Sequence, residues 1–276
     1  MKPMTLRSRF GTKSRKAKRL VRRTLGRLGW ELYRSSGKKS LSLRRRPALG
    51  LNPLGDIRTI LGERVACLFD VGGHIGETAL EFADAFPQAR IYSFEPDSSN
   101  FESLVAQCAP YRQIVPVPKA VSNRDGSATL HRTVGSLTHS LLKPSQTASH
   151  FLTDPKVLSA AEDIVVPTVS LDTFCMTEGI KRIDVLKIDA QGAELSILEG
   201  GRRLLSERAV TFIYLEVNFV AFYDGSPLFP EVYERLYSSG YRLVGLYDLG
   251  FATHYYQVGC NALFIEEQAG TLRRAG

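Results

Sequence analysis

The chain has little of what staples a fold, binds soft metals or crosses a membrane. It has four cysteines in 276 residues, Cys67, Cys108, Cys175 and Cys260. None lies in a CxxC pair or near a histidine at metal-ligand spacing, so a soft-metal site has no support. Cys67 and Cys260 fall in apolar strand patterns, where cysteine acts as a small hydrophobe, and a reducing compartment is the simpler expectation. No run approaches the roughly 18 apolar residues of a membrane-spanning helix. The N-terminus lacks the continuous apolar core of a secretory signal. A cytoplasmic protein is expected, and no internal repeat is visible.

Acidic residues are nearly missing from the first 46 positions, which hold 17 of the 36 Lys and Arg and one acid, Glu31. The other 230 residues carry 19 basic and 27 acidic groups. The formal net charge of +8 therefore describes a mildly acidic body with a basic arm. Three segments are expected: a basic arm over residues 1–50, one α/β domain over 51–268 and a short tail over 269–276. Within the arm, residues 1–16 read as disordered and 35–50 as a linker. From Ala17 to Tyr33 a helical period is predicted, with Leu20, Val21, Leu25, Leu28 and Leu32 on one side. Lys18, Arg19, Arg22, Arg23 and Arg27 fall largely on the other. Such a helix over 17–33 suits an anionic membrane surface and a peripheral location. A solvated tail, a transit peptide and binding to a phosphate backbone compete with it. Nucleic acid is the weaker partner, since no zinc knuckle or RNP-like aromatic motif accompanies the charge.

The body alternates strand and helix. Val65–Val71 is a near-continuous apolar run, as expected of a strand buried on both faces. Residues 76–86 suit a helix, with Pro87 just beyond it. A second strand is predicted over 89–95, a helix over 98–107 and an edge strand over 113–117, where prolines interrupt the pattern. Residues 127–132 and 164–169 read as antiparallel strands. Residues 135–162 between them, rich in Ser, Thr and His, read as an insertion or lid. Strands over 183–189, 210–217, 241–247 and 260–265 follow, with helices over 193–205 and 230–238. The expected fold is one doubly wound α/β domain, a mostly parallel sheet with helices on both faces.

Chemistry concentrates where strands end. Asp70-Val71-Gly72-Gly73-His74-Ile75-Gly76-Glu77-Thr78 reads as strand, glycine turn and helix start. Glycine lets the backbone turn tightly and approach a ligand closely, and a helix start at Gly76 presents free N–H groups. Asp70, Gly72, Gly73, His74, Gly76 and Thr78 are thus candidate cofactor contacts. Phe94-Glu95-Pro96 ends the next strand and puts a carboxylate 23 residues after Gly72. An acid there accepts hydrogen bonds from a ribose hydroxyl pair, so Glu95 and Pro96 join the set. The dinucleotide fingerprint G-x-G-x-x-G is missing. Asp70 at the strand tip, pointing toward the ligand, would repel a pyrophosphate and attract a cationic amino-acid moiety. S-adenosylmethionine therefore fits better than a nicotinamide dinucleotide.

These residues resemble the FkbM-type S-adenosylmethionine-dependent methyltransferases, which show a D-V-G-A-N-x-G loop, an F-E-P strand end and a K-I-D-V-E-G-x-E block. The third is matched here by Lys187-Ile188-Asp189-Ala190-Gln191-Gly192-Ala193-Glu194. Val169-Ser170-Leu171-Asp172-Thr173-Phe174 and Ala120-Val121-Ser122-Asn123 are also similar, which adds Val121 and Ser122 to the cofactor candidates. The resemblance covers residues 65–220. It implies a Rossmann-like class I methyltransferase fold with seven strands, and O-methylation of a sugar, glycolipid or secondary-metabolite hydroxyl. Two departures stand out. His74 replaces Asn, and both tolerate a left-handed backbone. Gln191 replaces Glu, which keeps shape and hydrogen bonding but not charge.

A sugar hydroxyl is a weak nucleophile at neutral pH, so a general base is expected. Asp189, at the carboxyl end of the fourth core strand, is the first choice for base or acceptor anchor. Glu216 is second. Glu194 is third, and it equally suits the first turn of its helix. His139, His150 and His254 read as loop residues with weaker claims. Asp189, Glu194 and Glu216 offer oxygen ligands for a divalent cation such as Mg²⁺, but none is expected. Acceptor specificity is expected in 135–162 and 218–230. The competing readings are an RNA or protein methyltransferase guided by the arm, and a silent cofactor- or partner-binding module, which Gln191 keeps open.

Overall fold

The computed structural model describes residues 30–34, 41–45, 49–50, 52–62, 64–152, 154–251 and 256–271. The chain divides into two units, Met1–Leu49 and Gly50–Gly276. In the first, β1 (Trp30–Arg34) pairs antiparallel with β2 (Leu41–Arg45), with Leu32 opposite Leu43. This corrects the end of the expected helix, over residues 30–33, and the part of the expected linker over 41–45. Trp30 and Tyr33 belong to the strand-favouring residues. The rest of the expected helix and the tail before it lie outside the described residues. No described helix is long and apolar enough to cross a membrane.

The second unit opens with α1 (Pro53–Leu61), which Asn52 caps by accepting a hydrogen bond from the Gly55 N–H. Asn followed by Pro at the first helical position is the local signal for it. The main sheet then takes its strands in the order β11-β12-β10-β9-β3-β4-β5. These are β3 (Cys67–Val71), β4 (Arg90–Phe94), β5 (Ile114–Val117), β9 (Ile183–Ile188), β10 (Val210–Asn218), β11 (Tyr241–Phe251) and β12 (Gln257–Glu266). β12 runs antiparallel to both neighbours, and the other pairs are parallel. A smaller sheet takes β6 (Ala120–Val121), β8 (Ala160–Val169) and β7 (Gly126–Thr133) in that order.

Pleating explains the layering. Successive side chains of a strand point to opposite faces, and along the central strands both faces are apolar. Phe69, Leu186 and Ile213 join one core cluster, while their neighbours Leu68, Val185 and Phe212 join the other. Each face is covered by helices, as a parallel sheet requires. α2 (Glu77–Ala85) and α3 (Ser98–Cys108) place Phe82 and Leu104 on the second cluster, beside Ile57 of α1. α4 (Leu171–Thr177), α5 (Glu194–Gly200), α6 (Arg202–Ser206) and α7 (Phe229–Ser238) cover the first, through residues such as Phe174, Ile197, Leu204 and Val232. The single helix expected over 193–205 is broken at Gly200-Gly201. A Cβ on Gly200 would lie 2.1 Å from the Ser122 carbonyl oxygen, so the chain bends where it packs against the segment after β6. A last helix, α8 (Glu267–Thr271), extends into the expected tail.

The central pair of strands brings two distant turns together. β3 and β9 are adjacent, with Asp70 in register with Lys187 and Val71 with Ile188. Residues more than a hundred positions apart therefore leave the sheet side by side. Lys187 is buried, with its Nζ 3.1 Å from Asp70 Oδ1 and donating to the Gly72 carbonyl at 3.0 Å. Burial by itself pulls the Lys187 pKa down, but the Asp70 and Asp189 carboxylates outweigh it and raise it above the ordinary value. Losing one partner of a buried ion pair leaves an uncompensated charge and costs about 3–5 kcal/mol. Lys187→Met is expected to destabilise the protein by that amount in urea unfolding, and adding Asp70→Asn should restore much of it. Equal stability of Lys187→Met and wild type would show that the pair is not needed.

Candidate active site

A cleft of about 230 Å³ opens at the carboxyl ends of β3, β4 and β9. Strand order reverses there, the place where open α/β sheets take ligands. The turn after β3 forms one wall. Gly72, His74 and Gly76 have φ of 80°, 46° and 100°, so the turn is left-handed at three positions. Gly72 is required by packing, since a Cβ there would lie 1.9 Å from the Asp189 carbonyl oxygen. His74 takes the conformation expected of an Asn or His at this position. Its N–H donates to Glu95 Oε2 at 2.9 Å, and the Asp97 N–H donates to Glu95 Oε1 at 2.8 Å. Glu95 thus ties the turn after β3 to the turn after β4. Burial pushes its carboxyl up to about 7, against the pull of those two backbone bonds.

Of the expected cofactor contacts, Gly72, Gly73, His74, Thr78, Glu95, Pro96 and Val121 line the cleft. Gly76 caps α2 and packs against Cys108, where a Cβ would meet Sγ at 2.8 Å. Ser122 turns away toward Ser196, with the two hydroxyls 3.4 Å apart. Asp70 needs correction. It is fully buried, accepts from Ser93 Oγ at 2.7 Å and pairs with Lys187, so its charge is already answered within the protein. The expectation that it faces a cationic ligand overlooked Lys187, because the register of β3 against β9 is not a local property of either segment.

Several lining residues were not anticipated, among them Asn100, Ser136 and Leu137. Ser136 belongs to the segment between β7 and β8. Its Oγ lies 2.9 Å from His74 Nε2, and its carbonyl accepts from Asn100 Nδ2 at 3.4 Å. That segment therefore closes the cleft opposite the glycine turn. His139 also lines it, with Nδ1 3.6 Å from Asp97 Oδ2. Burial lowers the pKa of His139. No short-range signal marks these residues, because their meeting depends on a long connection folding back. His150 is exposed and lines no cavity described here, and His254 lies outside the described residues.

The three acids expected to react have different surroundings. Asp189 lines the cleft, with its side chain 40 % exposed and Oδ2 3.8 Å from Lys187 Nζ. Glu194 lines neither this cleft nor the cavity beside it. Its Oε1 accepts from the N–H groups of Gly192 at 3.1 Å and Ala190 at 3.3 Å. It stitches the turn before α5, so its candidacy as a reacting group is corrected. Burial pushes it up to about 7. Glu216, at the end of β10, lines a second cavity of about 330 Å³ that shares Leu137 and Gln191 with the cleft. Burial first, then the charges of Asp189 and Glu194, hold the Glu216 carboxyl well above the usual range.

Gln191 joins the two sides. Its Nε2 donates to Asp189 Oδ1 at 2.7 Å and to Glu216 Oε2 at 3.0 Å, while its Oε1 accepts from Tyr223 OH at 2.8 Å. One amide thus supplies a hydrogen to each carboxylate. Among the described residues, no group of three or more His, Cys, Asp or Glu is placed to hold a metal ion.

The methyltransferase FkbM domain matches residues 70–243. The chain belongs to the FkbM methyltransferase family. It is 27 % identical over 188 residues to 2-O-methyltransferase NoeI of Sinorhizobium fredii, covering 66 % of this chain and 75 % of that one. It is 24 % identical over 153 residues to hexuronic acid methyltransferase AglP of Haloferax volcanii, covering 55 % of each. Among solved structures, Aeropyrum pernix fibrillarin with natively bound S-adenosyl-L-methionine aligns over 86 % of this chain and 83 % of that one, at 14 % identity and a TM-score of 0.41. The protein is an S-adenosylmethionine-dependent methyltransferase. Its cleft fits that cofactor in kind. It offers a glycine turn, a buried strand-end carboxylate with lone pairs left to accept from hydroxyls, and an apolar wall at Val121, Leu130 and Leu141.

Glu194 makes a testable contribution to stability. A carboxyl raised from its ordinary value to about 7 stabilises the fold fully below the unfolded pKa, and loses that stabilisation as pH rises through 7. Wild type should therefore lose stability relative to Glu194→Gln between about pH 5 and 7, with a slope of up to about 1.4 kcal/mol per pH unit. Parallel urea-unfolding curves for the two proteins across that range would overturn this.

Proposed function

We propose that the protein transfers the methyl group of S-adenosylmethionine to a hydroxyl of a carbohydrate, with Asp189 as the general base. One observation carries the reading. Asp189 stands in the cofactor cleft, and Gln191 ties it to Glu216 of the adjoining cavity, so a base is fixed where two ligand spaces meet. The choice of acceptor class is supported by relatives named as a 2-O-methyltransferase and a hexuronic acid methyltransferase.

The bound cofactor supplies an electrophilic methyl group, so the protein has mainly to orient the acceptor and take its proton. In this reading the free lone pairs of Glu95 accept from the ribose hydroxyls. The turn over Gly72 and Gly73 gives room to the amino-acid end, and Val121 and Leu130 flank the base. Asp189 accepts the acceptor's hydroxyl proton, held in place by the 2.7 Å bond from Gln191. Glu216, held by the bond from the Gln191 amide, faces the acceptor side. Residues of the 136–141 stretch line the cleft as a wall that excludes water.

Transfer of a deuterated methyl group to glycosides, RNA and proteins, followed by mass spectrometry, tests the acceptor class. Glycosides are expected to be labelled, and labelling of RNA or protein alone would overturn the proposal. Asp189→Asn should lower kcat by about 10²–10⁴, the range for losing a general base, with affinity for S-adenosylhomocysteine nearly unchanged. That affinity, measured by calorimetry, should fall as pH drops through about 7, where Glu95 becomes protonated and loses acceptor capacity. Glu95→Gln should bind more weakly and without that pH dependence. A wild-type affinity that is flat from pH 6 to 8 would remove Glu95 from the ribose site.

A further inference from the structure

The second cavity has a polar floor and an apolar roof. The floor is built from the ends of three strands, with Glu216 and Asn218 of β10, Asp248 of β11 and Asn261 of β12. The roof includes Leu152 from the segment before β8, and Phe222 and Tyr223 from the loop after β10. A pyranose divides in the same way, with hydroxyls at the ring edge and C–H groups on its faces.

Asn218 is the informative residue. It lines the cavity, is only 6 % exposed, and its carboxamide has no side-chain hydrogen bond among the described residues. Its carboxamide offers the cavity both a donor and an acceptor, which suits a ligand group that both donates and accepts. A hydroxyl does both.

The charges are one-sided. Glu216 and Asp248 line the cavity, and no Lys, Arg or His does so among the described residues. Lys187 faces the cofactor cleft and is engaged by Asp70 and the Gly72 carbonyl. Asp248 Oδ2 accepts from Asn261 Nδ2 at 3.2 Å and from Tyr214 OH at 3.4 Å, which orients its carboxylate without neutralising it. A ligand carboxylate placed here would meet the carboxyl groups of Glu216 and Asp248, with no cation among the described lining residues to receive it.

We propose that this cavity is the acceptor subsite and that it takes an uncharged pyranose, selecting neutral sugars against uronic acids, with Asn218 reading a ring hydroxyl. This rests on the reading of the protein as a carbohydrate O-methyltransferase and narrows its substrate class.

The test is calorimetry and ligand-observed NMR on the full chain saturated with S-adenosylhomocysteine. The probes are methyl glycosides of glucose, galactose, fucose and N-acetylglucosamine, beside methyl glucuronide and methyl galacturonide. At least one neutral glycoside should bind, and each uronide should bind at least tenfold more weakly than its parent hexose. Asn218→Ala should weaken the neutral glycoside at least tenfold while S-adenosylhomocysteine affinity stays within twofold, which also reports folding. Asp248→Asn, which keeps the side-chain shape, should narrow the uronide penalty. A uronide that binds as tightly as its parent, glycoside binding untouched by Asn218→Ala, or no glycoside binding to the saturated protein would each overturn the proposal. Failure to bind S-adenosylhomocysteine would instead count against the cofactor reading, and the two failures are read in separate titrations.

Discussion

The site depends on one buried ammonium group. Lys187 Nζ reaches Asp70 on the adjacent strand, the Gly72 carbonyl in the first turn and, at 3.8 Å, the Asp189 carboxylate. Without it, two carboxylates and a carbonyl oxygen would converge at the sheet edge with no positive charge among them. Desolvation disfavours the charge of a buried lysine, yet the Asp70 and Asp189 carboxylates outweigh it and raise the Lys187 pKa. The ion pair fixes the first glycine turn against the exit of β9, so the cofactor wall and the base are positioned by the same contact.

The two turns that meet there are built alike. Each contains a non-glycine residue in the left-handed region, His74 at φ 46° and Gln191 at φ 52°. Such conformations persist when the surroundings over-determine them. For His74 the constraint is the backbone bond to Glu95 and the contact with Ser136. For Gln191 it is three side-chain bonds, to Asp189, Glu216 and Tyr223. The turns are thereby fixed before any ligand arrives, and preorganisation of this kind is what positions reacting groups.

The strands of the parallel core were legible because both faces are buried, which leaves runs such as Leu68-Phe69 and Val185-Leu186 with no polar interruption. The glycine turns and Glu95 were legible because φ and spacing constrain the residue type locally. Asp70 was misread for the opposite reason. Whether a strand-tip acid faces a ligand or a neighbouring lysine depends on strand register, here Asp70 beside Lys187, which no short window contains. Glu194 illustrates the same limit, since its bonds to the Ala190 and Gly192 N–H groups become visible only once the turn is built. The walls from the β7–β8 connection carry no periodicity, so Ser136 and His139 had no signal beyond their residue type.

Gln191 shows how one neutral substitution can organise an acidic site. A carboxylate at this position would bring a third negative charge against Asp189 and Glu216, and at least one of the three would have to take up a proton or a cation. The amide removes that requirement. Its two hydrogens answer the two acids, and its oxygen accepts from the Tyr223 hydroxyl, whose oxygen also lies 3.1 Å from the Thr138 carbonyl oxygen. The residue therefore links the end of β9, the end of β10, the loop after β10 and the segment that closes the cleft. A departure that reads in the sequence as a lost charge becomes, in the fold, the joint between the cofactor cleft and the cavity beside it.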